Sequence, residues 1–143
     1  KVFIHRDYHI DNLFFLEGRK DFFRCGWIDF QDALHGFCVY DILSLTQDAR
    51  IDFPTELESE IINYYLNKFS EIDRDEFLFA YDLIVIQRHL KVLGIFSRLN
   101  KRDKKTVYLK HIPRVERLLI KNLNKDPFND LKHLIYPLLN YEN

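Results

Sequence analysis

His5-Arg6-Asp7-Tyr8-His9-Ile10-Asp11-Asn12, followed downstream by Asp29-Phe30, is the stretch on which the reading of this chain turns. The octapeptide is polar and loop-like. Val2-Phe3-Ile4 before it and Leu13-Phe14-Phe15-Leu16 after it are short, apolar runs that read as strands. Glu17-Gly18-Arg19-Lys20-Asp21 supplies a turn, and Phe22 to Ile28 reads as a third strand ending at Asp29. A hairpin of that size returns Asp29 to the loop it left. The expectation is that Asp7, Asn12 and Asp29 converge at one end of a small strand pair.

Beyond Gly36 the spacing becomes helical, with Val39, Ile42, Leu43 and Thr46 on one face. Pro54-Thr55-Glu56-Leu57-Glu58 reads as a helix start, with Thr55 as N-cap and Glu58 closing a capping box. That helix is expected to reach Phe69. Asp73 to Glu76 repeats the signal before the longest helix, from about Glu76 to Asn100. Asp103 is read as the cap of a short helix, and Pro113 as the first residue of the next. A last helix over Asn129 to Leu139 is interrupted by Pro137. Strands first and five or six helices after predict an α+β fold in which helix dominates. Residues 1–143 are expected to form a single domain.

The 143 residues suffice for one core. A net charge of −1 argues against a dedicated nucleic-acid binder. No apolar run is long enough to span a bilayer, so no membrane association is expected. Two cysteines cannot make a disulfide framework, and a reduced, cytoplasmic setting is expected. Cys25 is expected to be buried in its strand. Charge is uneven: Asp52 to Asp82 carries nine acidic and two basic residues, and Lys101 to Lys125 the reverse. These read as two solvated helical faces. Met is absent and the chain opens in mid-pattern at Lys1, which reads as a fragment of a longer protein.

The chemistry follows from the residue types. The octapeptide has the form H-R-D-x-x-x-x-N, and Asp29-Phe30 begins D-F-G with Gln31 in place of glycine. Phosphoryl transfer needs a divalent cation held by hard oxygen ligands, which a carboxylate such as Asp29 and an amide such as Asn12 supply. It also needs an acceptor hydroxyl aligned and relieved of its proton, for which the Asp7 carboxylate is suited. A second reading takes His5, Asp7, His9 and Asp11 as an alternating metal set of a hydrolase. It leaves Asn12 and Asp29-Phe30 without a role.

Three stretches carry a family resemblance: His5 to His9 with Asn12; Ile28 to Ala33 through Tyr40-Asp41-Ile42; and Gln87 to Phe96 with Arg98-Leu99. Together they resemble the C-terminal lobe of the aminoglycoside phosphotransferase/choline kinase family, whose fold is protein-kinase-like. The third stretch tilts the likeness towards bacterial kinases of the anomeric hydroxyl of N-acetylmuramate or N-acetylglucosamine. The resemblance implies Asp7 as catalytic base, Asn12 and Asp29 as magnesium ligands, and His5 and Asp41 as supports of the catalytic loop. It implies Phe14 and Ile28 as the lower wall of an adenine site, ATP and Mg2+ as cofactors, and an amino sugar as substrate. Arg88, Lys91 and Arg98 lie near one face of the long helix. They read as an exposed stripe; turned into a cleft, Arg88 and Lys91 would contact the sugar.

The same resemblance implies an N-terminal lobe with a glycine-rich loop and a nucleotide-binding lysine. The four glycines, Gly18, Gly26, Gly36 and Gly94, form no such loop. The chain alone is therefore expected to be inactive, and to work with a separate lobe or to self-associate through the apolar surface left open. A degenerate remnant that only binds a partner is the other expectation.

Overall fold

In the computed structural model, which describes residues 1–139, two short antiparallel strand pairs open the chain. β1 (Val2–Ile4) pairs with β4 (Leu34–Gly36), setting Val2 opposite Gly36 and Ile4 opposite Leu34. β2 (Leu13–Phe15) pairs with β3 (Cys25–Trp27), setting Leu13 opposite Trp27 and Phe15 opposite Cys25. β4 has no counterpart in the sequence reading. Leu34-His35-Gly36 carries neither alternation nor β-branched residues, so its strand character comes from pairing with β1 rather than from local preference.

The third strand is shorter than its apolar run suggested. Asp21–Arg24 winds into a 3-10 turn, entered through Asp21 at φ 51°, and β3 begins only at Cys25. Phe22 and Phe23 stack at 4.3 Å on its exposed outside. Cys25, expected to be buried, is exposed, as is its cross-strand partner Phe15. Paired residues of a hairpin share a face, so the two follow one another out.

α1 (Val39–Thr46) buries Val39 and Leu43, the apolar spacing that identified it. α2 (Thr55–Lys68) buries Ile62 and Leu66. Its start departs from the expected capping box: Pro54 holds the cap position, Thr55 is the first helical residue, and no side chain caps the turn. The Glu58 carboxylate is engaged elsewhere. Its Oε1 accepts from Gln47 Nε2 at 2.5 Å and from the Tyr81 hydroxyl at 2.6 Å. Charge-assisted bonds to two well-placed donors outweigh one N-terminal amide. α3 (Arg74–Lys101) begins as read, the Asp73 carboxylate accepting the Glu76 amide at 2.9 Å.

The chain divides into two compact units, the first running Lys1–Tyr81 and the second from Asp82 onward. The first contains both strand pairs, α1, α2 and the first turns of α3. In the second, α4 (Ile112–Leu123) carries Pro113 in its first turn, and α5 (Asn129–Ile135) gives way to a 3-10 turn at Pro137. Ile86, Leu119, Leu123, Phe128 and Ile135 form its core. Asp103 does not cap the 3-10 turn Thr106–His111; its carboxylate takes Arg102 Nε at 2.7 Å and Nη2 at 3.0 Å. Among the described residues no helix is long and apolar enough to cross a membrane.

His89 in α3 is fully buried, and both ring nitrogens lack a hydrogen-bond partner. Burial, then the neighbouring Arg88 charge, pushes its pKa down to about 3. The folded chain thus resists protonation that the unfolded chain accepts near 6.5. Above that value the ring is neutral in both states and adds no pH dependence, and stability falls as pH drops below it. At pH 5 the loss is expected to be about 2 kcal/mol relative to pH 7. Urea unfolding at both pH values checks it. His89→Leu should remove most of the difference.

Candidate active site

The loop His5–Asn12 leaves β1 and is held at its start by α1. Asp41, in the first turn of α1, accepts the His5 amide on Oδ2 at 2.7 Å and the Arg6 amide on Oδ1 at 3.0 Å. One carboxylate thereby clamps two successive peptide groups. Directly after the second of them Arg6 sits at φ 76°, a left-handed conformation uncommon for a residue with a side chain. Such strain persists only where surrounding bonds impose it, and the Asp41 clamp does so. Arg6 Nη1 also donates to the Asp32 carbonyl at 3.2 Å.

Asp7 follows with its side chain exposed. Its backbone carbonyl accepts the His9 amide at 3.0 Å and Asn12 Nδ2 at 2.9 Å, so the main chain is fixed while the carboxylate faces outward. Asn12 is buried. Its amide nitrogen is engaged by the Asp7 carbonyl and lies 3.4 Å from His9 Nε2; its amide oxygen takes part in neither contact.

The hairpin brings the other carboxylate. The Asn12 carbonyl accepts the Ile28 amide at 3.1 Å, one step beyond the Leu13–Trp27 pair, so Asp29 emerges beside Asn12. Asp29 too is left-handed, at φ 67°. Gln31 Nε2 donates to its Oδ1 at 2.7 Å. The fully buried His5 joins the halves: its Nε2 donates to the Ile28 carbonyl at 2.9 Å, and its ring packs against Trp27 at 5.2 Å and Tyr8 at 5.8 Å. Burial, with the Cys25 thiol 3.9 Å from its hydroxyl, pushes the Tyr8 phenol up to about 12, so Tyr8 stays neutral.

The Asn12 amide oxygen and the Asp29 carboxylate, carried on adjoining strand ends, are hard oxygen donors of the type a magnesium-like cation takes. The alternating His/Asp set does not gather in the same way. His5 is turned to Ile28, while His9 faces Asn12 and Asp11. Among the described residues no group of three or more His, Cys, Asp or Glu side chains is placed to hold a metal. Burial, then the Arg50 charge, lowers the pKa of His9, which favours the neutral ring that can accept from Asn12.

Phe14 and Ile28 are both about half exposed. Phe14 lies opposite Gly26, and alternation along β3 turns Ile28 to that same face. Arg88 is buried, unlike Lys91 and Arg98, so the expected exposed stripe does not include it. Gln31 and Arg50 went unassigned in the sequence reading. Gln31 could have been found as a polar residue two positions after a candidate ligand; Arg50 carried no local signal.

The loop, its clamp and the returning hairpin all lie within the stretch that carries the family likeness. Residues 1–78 match the phosphotransferase enzyme family, and the chain belongs to it. It is 41% identical over 125 residues to an N-acetylmuramate/N-acetylglucosamine kinase of Pseudomonas aeruginosa, covering 83% of this chain and 36% of that one. It is 40% identical to proteins of the same description from Caulobacter vibrioides and Neisseria meningitidis, each over 80% of this chain and 31% and 34% of theirs. The chain spans about a third of the length of these relatives.

Proposed function

We propose that these residues are the C-terminal lobe of an ATP-dependent kinase that phosphorylates a hydroxyl of an amino sugar. The observation that supports this reading is the double clamp of Asp41 on the His5 and Arg6 amides, at the head of a loop whose Asp7 carbonyl takes Asn12 Nδ2. The kinase relatives support the acceptor class.

In this reading Asp7 accepts the proton of the acceptor hydroxyl as its oxygen bonds to the γ-phosphorus of ATP and the bond from that phosphorus to the bridging oxygen breaks, releasing ADP. The Asn12 amide oxygen and the Asp29 carboxylate hold Mg2+, which when bound neutralises charge on the ATP phosphates. Asp41 and His5 keep these groups in register by fixing the loop and the Asp29 strand end. Phe14 and Ile28 offer an apolar floor to the adenine. The roles of Arg88 and Lys91 as acceptor contacts rest on the similar stretch of α3 alone.

The 143 residues contain no glycine-rich loop to cover the phosphates, so this reading assigns that part to another lobe, and little activity to these residues alone. The exposed aromatic cluster of Phe3, Trp27 and Phe30, whose ring centroids lie 6.0 and 5.8 Å apart, supports a docking face for it. The test is a substrate screen with ATP, run on this chain alone and joined to the segment that precedes it in the genome. The expected result is phosphorylation of an amino sugar only in the joined form. Turnover by the isolated chain, or a joined form that phosphorylates no sugar, overturns the reading; binding without turnover would favour a non-catalytic module.

A further inference from the structure

The Asp41 clamp holds the start of the catalytic loop; its far end, where Asn12 sits, needs a hold of its own. Ile10–Asn12 is a single 3-10 turn without a side-chain cap. Arg50, just beyond the C-terminus of α1, reaches it. Its Nε lies 3.2 Å from Asp11 Oδ2, and its Nη1 lies 3.3 Å from Asp48 Oδ1.

Asp48 is the fixed end of this bridge. It is 1% exposed, and its Oδ1 also accepts the Arg50 amide at 2.8 Å. Its Oδ2 is buried without a hydrogen-bond partner, so compensation of its charge falls on the Arg50 guanidinium. A buried carboxylate held this way is costly to move. Arg50 therefore has one edge tied to the protein interior and the other to the loop. Asp11 lies within the same turn as Asn12, whose Nδ2 lies 3.4 Å from His9 Nε2.

We infer that Arg50 is a positioning residue, bridging buried Asp48 to Asp11 so that the turn holds Asn12 in place. The inference rests on the reading of Asn12 and Asp29 as cation ligands, yet the bridge can be measured without it. Both ends of α1 then grip one loop, Asp41 at its start and the Asp48–Arg50 pair at its finish. A planar fork can address two carboxylates at once; an ammonium in its place cannot keep both geometries.

Asp11 is 61% exposed and Arg50 39%, so the ion pair has the strength of a partly solvated one. That limits its effect to about 1 kcal/mol, or roughly fivefold. Two readouts on the purified chain test it. One is hydrogen exchange at the Asn12 amide, which donates to the His9 carbonyl. The other is Mn2+ affinity, followed by the loss of the free-ion electron paramagnetic resonance signal. Arg50→Ala is expected to raise exchange and weaken Mn2+ binding, each roughly fivefold, and to lower thermal stability as well, because buried Asp48 loses its counter-charge; Asp11→Asn, which cuts only the loop end of the bridge, should give the same two changes with thermal stability nearly unchanged. Arg50→Lys should recover only part of either, and adding Asp11→Asn to Arg50→Ala should worsen neither.

Asp29→Asn separates this inference from the reading beneath it. If Asp29→Asn abolishes Mn2+ binding while Arg50→Ala changes neither readout, the bridge is wrong and the cation site stands. Should Mn2+ binding be absent, or indifferent to Asp29→Asn and Asn12→Ala, the cation reading falls and exchange at Asn12 alone decides the bridge. Additive effects of Arg50→Ala and Asp11→Asn would also overturn it, because a shared contact cannot be lost twice.

Discussion

Asp7→Asn is expected to lower kcat of the joined kinase by about 10³-fold, the range that a positioned general base supplies. The replacement keeps shape and removes only the basic oxygen. The structure explains why the effect should be confined to turnover. Asp7 engages its surroundings through its backbone carbonyl, which takes the His9 amide and Asn12 Nδ2, and its side chain is exposed. Neither hydrogen bond depends on the carboxylate. The melting temperature should stay within about 2 °C, since a surface substitution rarely moves stability by more than ~0.5 kcal/mol. KM for ATP should change little. Steady-state kinetics with the best acceptor from the screen measures both parameters, and turnover retained within tenfold would remove Asp7 from its role.

The second large effect is on the fold around the site. Asp41→Ala is expected to destabilise the chain by about 3 kcal/mol, because a hydrogen bond to a charged group contributes about 1.5–3 kcal/mol and two are lost. The amides of His5 and Arg6 are left without their acceptor. Arg6 also loses what holds it at φ 76°. Relaxation of that peptide would offset part of the loss, so the sum of the two bonds is an upper bound. Urea unfolding gives the free energy, and hydrogen exchange at the two amides shows where it arises. Asp41→Asn, which keeps one carbonyl acceptor, should lose about half as much. A loss under about 1 kcal/mol for the alanine variant would show that the loop keeps its geometry by other means.

Much of the site was legible because its parts are close in sequence and chemically unusual. A polar octapeptide between two apolar runs, and an Asp at the end of the returning strand, place Asp7, Asn12 and Asp29 with nothing but turn chemistry and strand alternation. The helices were legible too, since each buries an apolar stripe at helical spacing, and Pro113 and Pro137 mark where helical structure starts or breaks. The misplaced details share a cause. Glu58 was assigned to its own helix start, but Gln47 and Tyr81 draw it away. Asp103 was assigned to the next helical turn, but Arg102 beside it holds it. Arg88 was assigned to the surface, and it is buried. In each case a local preference of about 1 kcal/mol met a charge-assisted partner or a packing environment worth more.

From the order of residues alone come the polar loop His5–Asn12, the hairpin that returns Asp29 to it, and the succession of helices, because periodicity and turn formation act over a few neighbouring positions. Tertiary structure alone decided that β4 completes β1 and that Arg50 reaches Asp11 from beyond α1, and it supplied the two amides, of His5 and Arg6, for the hold on the loop that the family resemblance had implied for Asp41. Those contacts join positions some thirty to forty residues apart. Their partners are selected by which donors and acceptors remain unsatisfied once the chain has closed on itself, a quantity that no stretch of sequence contains.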